Sequence, residues 1–148
     1  MYFGRKVVMK SLMIKLKMNY NLPPHLSDLP VYKKAIEIIM LSRSISTYLN
    51  HDLAYLQEDG TEDNNIYFSG DIVQQSTSLA PEIINAERER YSENIHKHLE
   101  SLDRLTFSLY NNCKRLEHSN SNGKDYLPML RYELRKFRKL QRSWMLTL

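Results

Sequence analysis

The stretch DYLPMLRYELRKFRKLQRSW, residues 125–144, decides how the chain folds. Leu127, Leu130, Leu134, Phe137 and Trp144 recur at intervals of three and four, with Gln141 the one polar interruption, so they form one stripe on a helix. Asp125 stands where a cap accepts from the first-turn N–H groups, and Pro128 falls inside the first turn, where a missing donor costs nothing. A second row, Arg131, Arg135, Arg138 and Arg142, repeats the spacing about 100° round from the first. Lys136 and Lys139 are expected on the opposite shoulder. The helix should bury one face and carry positive charge on both sides of it.

Like charges three or four residues apart repel by a few tenths of a kcal/mol per pair, roughly 1 kcal/mol for the whole row. Two arrangements offset that cost. Acidic residues on neighbouring helices can neutralise the row, with Glu87, Glu93, Glu100 and Asp103 as candidates. Alternatively the row meets the phosphates of RNA or DNA. Four such contacts to a duplex would give a slope of log affinity against log salt of about −3.6.

Upstream, Ile95, Leu99, Leu102, Thr106, Leu109, Cys113 and Leu116 hold a strict 4,3,4,3,4,3 spacing, and the polar run His118 to Lys124 ends that helix as an expected loop. An earlier helix is predicted from Pro30 to about Tyr55 on Val31, Ala35, Ile38, Ser42, Ile45 and Leu49, widened by Ile36, Ile39, Leu41 and Tyr48. Between these two, Ile72, Val73, Ser76, Leu79, Ala80, Ile83 and Ile84 describe a helix starting near Ser69 to Asp71. Pro81 should kink it, and it should end between Asn85 and Ser92. Gln57 to Asn65 reads as an exposed acidic loop whose ligand spacing matches no calcium loop. Four long helices with short connections must alternate in direction. The expected fold is all-α, an up-and-down antiparallel four-helix bundle spanning residues 29–148.

Composition agrees. A chain of 148 residues suits one domain, and 4 Gly with 5 Pro leave little for the turns of an all-β fold. Cys113 is the single cysteine, which excludes an internal disulfide and suits a reducing, cytoplasmic setting. No run of 18 apolar residues occurs, so no membrane span is expected.

The net charge of +4 is unevenly placed: residues 1–30 sum to +4, residues 124–148 to +5 and the middle to −5. Residues 1–28 read as a basic arm and an extended lead-in. Arg5, Lys6, Lys10, Lys15 and Lys17 interrupt its apolar runs, unlike a secretory signal. Met18 is a candidate true start, and a chain from Met18 would carry a net charge of −1. The basic row on the last helix does not depend on that choice.

Few residues offer chemistry. Glu93 and His96 make one Glu-x-x-His pair where a di-iron bundle needs two, so no metal or other cofactor is expected. Cys113 sits on an apolar seam, the place of a small core residue rather than a nucleophile. No Gly-rich phosphate loop is present. The chain is not expected to be an enzyme.

The segment Leu29-Pro30-Val31-Tyr32-Lys33-Lys34-Ala35 opening the first helix, a proline inside the second, and a basic last helix closing on Trp144 together resemble the four-helix proteins encoded in ribosomal-RNA intervening sequences. They are more similar still to the accessory variability determinant of diversity-generating retroelements. The resemblance covers about residues 29–146. Pro81-Glu82-Ile83-Ile84-Asn85-Ala86-Glu87 departs from the Pro-x-Asn-Ile-Ala-Glu-Gly of the intervening-sequence proteins, so the turn after the second helix is not set by it. The resemblance implies a ring-shaped homo-oligomer, a pentamer, without catalysis, whose basic surface binds RNA or DNA and a reverse transcriptase. The nucleic-acid-binding residues expected here are Arg131, Arg135, Lys136, Arg138, Lys139 and Arg142. The competing expectation is an oligomeric adaptor that binds only protein. Exposed apolar residues expected to support self-association are Tyr126, Met129, Tyr132, Met145 and Leu146 on the last helix, with Ile36 and Ile39 on the first.

Overall fold

The computed structural model describes residues 22–148, so the expectations for the basic arm and for a start at Met18 lie outside the described residues. Four long helices dominate: α1 (Pro30–Leu53), α2 (Asn65–Arg88), α3 (Ile95–Leu116) and α4 (Leu127–Met145). Side-chain contacts fix their directions. Ser42 meets Ser76 and Ser46 meets Ser69 between α1 and α2. Gln75 meets Asn112 and Glu82 meets His98 between α2 and α3. Asp103 meets Arg138 and Glu117 meets Arg131 between α3 and α4, while Lys34 meets Glu133 and Tyr48 meets Tyr126 between α1 and the start of α4. In every pair the numbers rise on one helix as they fall on the other, so each helix runs antiparallel to both neighbours. This is the expected all-α four-helix bundle, with α4 closing back onto α1.

The stripes behave as helical periodicity requires. Leu127, Leu130, Leu134, Phe137, Gln141 and Trp144 are all buried on α4, and Leu102, Thr106, Leu109, Cys113 and Leu116 on α3. The broadest buried surface belongs to α1, where Ile36 and Ile39 lie inside the core along with Ile38 and Ile45. That corrects the expectation that Ile36 and Ile39 offer a face to another copy. Helix α2, helix α4, the turn at Asn122–Tyr126 and the short turn at Pro24–Ser27 all pack against α1. Met129, Tyr132 and Leu146 remain exposed on or just after α4, but Tyr126 and Met145 are half-buried.

Three boundaries differ from expectation. The lead-in is not extended: Pro24–Ser27 makes one helical turn that buries Leu26, with Leu22 against the core. Helix α2 begins at Asn65 rather than near Ser69, because the Asp63 carboxylate accepts from the Asn65 amide and lets Ile66 and Phe68 reach the core. Pro81 lies inside α2, which ends at Arg88, within the expected span from Asn85 to Ser92. Finally, Asp125 does not cap α4. It lies in a 3₁₀ turn, Asn122–Tyr126, whose cap is Ser121, accepting from the Gly123 amide at 3.0 Å.

The His118 to Lys124 run is not a free polar loop. Asp52 on α1 accepts from Ser121 Oγ at 2.6 Å and from the Asn122 amide at 3.1 Å, and Ser119, Ser121 and Gly123 are buried. A Cβ on Gly123 would stand 3.2 Å from Tyr48 Cβ and 3.3 Å from Leu49 Cδ2, so a larger residue there would press the turn away from α1 by a few tenths of an ångström.

Candidate functional site

The arginine row divides in two. A step of four residues advances about 40° round a helix and a step of three falls back about 60°, so the row zigzags. Arg131 and Arg138 fall nearer the buried seam and reach α3. Arg131 donates through Nε and Nη2 to the two oxygens of Glu117 and lies over the Tyr110 ring, 5.7 Å from its centroid. The hydrogen bonds to Glu117, and then to Tyr110, raise the Arg131 pKa and hold its charge. Arg138 Nη1 donates to Asp103 Oδ1 at 3.2 Å, and Gln141 Nε2 donates to the same oxygen at 2.8 Å.

Arg135 and Arg142 fall farther out and are exposed, and among the described residues neither makes an ion pair. Lys139 joins them. The sequence reading put Lys139 on the opposite shoulder with Lys136, but it follows Arg135 by four residues and so lies only about 40° beyond it. Lys136 is correctly on the far side, where it pairs with Glu133 at 3.5 Å and covers the Tyr132 ring at 4.4 Å. There Lys34 also binds Glu133 at 2.8 Å; burial opposes the Glu133 charge, but the bond and charge of Lys34 outweigh it and lower the carboxyl's pKa. Lys136 therefore belongs to a structural ion-pair cluster and not to the same site.

Of the acids expected to neutralise the row, only Asp103 does so. Glu87 instead accepts from Arg90 and from the Trp144 indole, and Glu93 and Glu100 make no ion pair among the described residues. Glu117, the strongest partner, was missed, because it sits at the end of α3 beyond the apolar pattern.

Arg135, Arg138, Lys139 and Arg142 line one side of a groove of about 360 Å³ between α3 and α4. Buried Thr106 and Leu134 form its base, and Phe107 and Tyr110 line it from α3. The sequence reading passed over Phe107. Its signal was an aromatic residue one position past the Thr106 seam, about 100° off the buried stripe, which leaves it 69% exposed. Cations and an aromatic face converging on an open groove can bind an anion that also carries a flat ring.

The other candidate chemistry is not assembled. Cys113 is fully buried, and burial, then the charge of Glu117, pushes its thiol up to about 12. Glu93 and His96 are both exposed. Among the described residues no three His, Cys, Asp or Glu side chains are grouped to hold a metal ion, and no helix is long and apolar enough to cross a membrane. In the acidic loop Asp59 accepts from the Thr61 amide and hydroxyl, closing a tight turn around Gly60 at φ 84°.

No protein-family model matches the chain, and no curated protein or solved structure is significantly similar to it.

Proposed function

We propose that the protein is a non-catalytic nucleic-acid-binding accessory protein that holds RNA or DNA phosphates against α4. The observation that carries this reading is the trio Arg135, Lys139 and Arg142, exposed on one face, while the neighbouring Arg131 and Arg138 are held by acids of α3. Three uncompensated cations within two helical turns repel one another, and a phosphate chain relieves that repulsion. A homo-oligomer, a ring of five copies, and a reverse-transcriptase partner belong to the same proposal and rest on the resemblance, with exposed Met129 and Leu146 as the apolar surface available to a second copy.

The adaptor reading also has an observation in its favour: two of the four arginines already have acidic partners within the chain. Two variants of equal charge separate the readings. Arg135→Gln with Arg142→Gln should abolish binding of a labelled duplex at about 50 mM salt and leave the melting temperature unchanged. Arg131→Gln with Arg138→Gln should lower the melting temperature and weaken binding far less. With three phosphate contacts the wild-type slope is about −2.7, a loss of roughly fortyfold between 50 and 200 mM salt. Absence of wild-type binding at the lower salt, or equal losses in the two variants, overturns the assignment.

A further inference from the structure

We propose that the α3–α4 groove selects single-stranded nucleic acid, with an unpaired base stacked on Phe107 while Arg135, Lys139 and Arg142 hold the adjoining phosphates; this rests on the nucleic-acid reading above. Several other aromatic rings near the surface are covered. Tyr48 stacks on Tyr126 at 5.7 Å, Lys136 covers Tyr132 and Arg115 covers Phe68. Phe107 has no aromatic or cationic partner over its ring among the described residues, and it is 69% exposed.

Helix register sets the ring beside the charges. Asp103 lies across from Arg138 and Tyr110 across from Arg131, so in an antiparallel pair Phe107 stands opposite Leu134 and Arg135. The cations from Arg135 to Arg142 extend along about 10.5 Å of helix, the length of about three stacked nucleotides. A duplex presents phosphates to such a face but keeps the faces of its bases stacked inside. A single strand turns a base outward, where its ring can cover Phe107 as its phosphates reach the cations. Charge complementarity therefore names the occupant: a strand that is anionic and aromatic at once. Ring stacking of this kind is indifferent to base identity, so little sequence preference is expected.

Fluorescence anisotropy on the full chain tests the proposal, with oligothymidylate, oligouridylate, an abasic strand of equal length and a duplex of matched charge. Phe107→Ala should weaken binding to both base-bearing strands by about tenfold, within the range known for losing one stacked base. Duplex and abasic-strand affinities should stay within about twofold, and Phe107→Trp should restore the loss. Phe107→Leu keeps an apolar side chain and should fail to restore it. Comparing the thymidylate and uridylate arms tells whether the sugar matters. Equal losses on strand and duplex, or strand binding indifferent to Phe107, overturn this inference while leaving the phosphate-binding reading in place. A wild type that binds none of the four probes overturns both. A Phe107→Ala chain that binds strands normally but shows a smaller mass by light scattering identifies the groove as a contact between copies and also overturns it.

Discussion

Arg131 clasps Glu117 through two hydrogen bonds, from Nε and from Nη2, the latter 3.1 Å long, and so ties the second turn of α4 to the end of α3. Seven residues on, Arg138 repeats the connection with Asp103, so half of the basic row holds the bundle together. Both side chains of the Arg131–Glu117 pair are about one-fifth exposed, which moderates the strength of the pair. A double-mutant cycle with Arg131→Ala and Glu117→Ala should return a coupling of about 1 kcal/mol from denaturant unfolding. A coupling indistinguishable from zero would place Arg131 with the surface cations instead.

The last turn of α4 depends on a different bond. The Trp144 indole donates to Glu87 Oε1 at 2.6 Å, and Arg90 donates both to that carboxylate and to the Thr147 carbonyl. Trp144→Phe keeps most of the buried ring and deletes the donor. It should cost about 1.5 kcal/mol, the low end for a bond to a charged group, because Arg90 still serves Glu87. Urea unfolding followed by circular dichroism measures it, and an unchanged midpoint would mean the bond is not formed in solution.

The Asp52 carboxylate, hydrogen-bonded first by Ser121 Oγ and then by the Asn122 amide, is held below its ordinary value of 3.8. A carboxyl whose folded pKa is depressed contributes stability above its unfolded value and loses it as pH falls through the folded one. The stability gap between wild type and Asp52→Asn should therefore be flat above about pH 5 and narrow progressively below 3.8. Hydrogen exchange at Gly123 should be faster in the variant at neutral pH. A gap that ignores pH would remove the carboxylate from the account.

Cys113 has no exposed surface, and its thiol is raised to about 12, so at pH 8 roughly one in ten thousand is thiolate. Labelling by an aromatic disulfide reagent should proceed at the rate of unfolding and accelerate with urea. Fast labelling of the native chain would show that the α3 seam opens on its own.

Much of the fold was legible because helical periodicity is a local property. The α4 seam from Leu127 to Trp144 and the α3 seam from Ile95 to Leu116 depend only on spacing within about 20 residues, and both are buried as read, apart from Leu99, which is half-buried. Helix ends were less legible where polar side chains made the decision, as Asp63 does at the start of α2 and Ser121 does in place of Asp125 before α4.

By itself the sequence determined that four helices form, which faces they bury, and that a row of basic residues lies along the last of them. It could not determine which of those residues stay free, since neutralisation is settled by the register between α3 and α4. Glu117 and Asp103 lie 14 and 35 residues before the arginines they bind, and only packing brings them to Arg131 and Arg138. The same register leaves Arg135, Lys139 and Arg142 facing outward and puts Phe107 beside them, a combination that exists on neither helix alone.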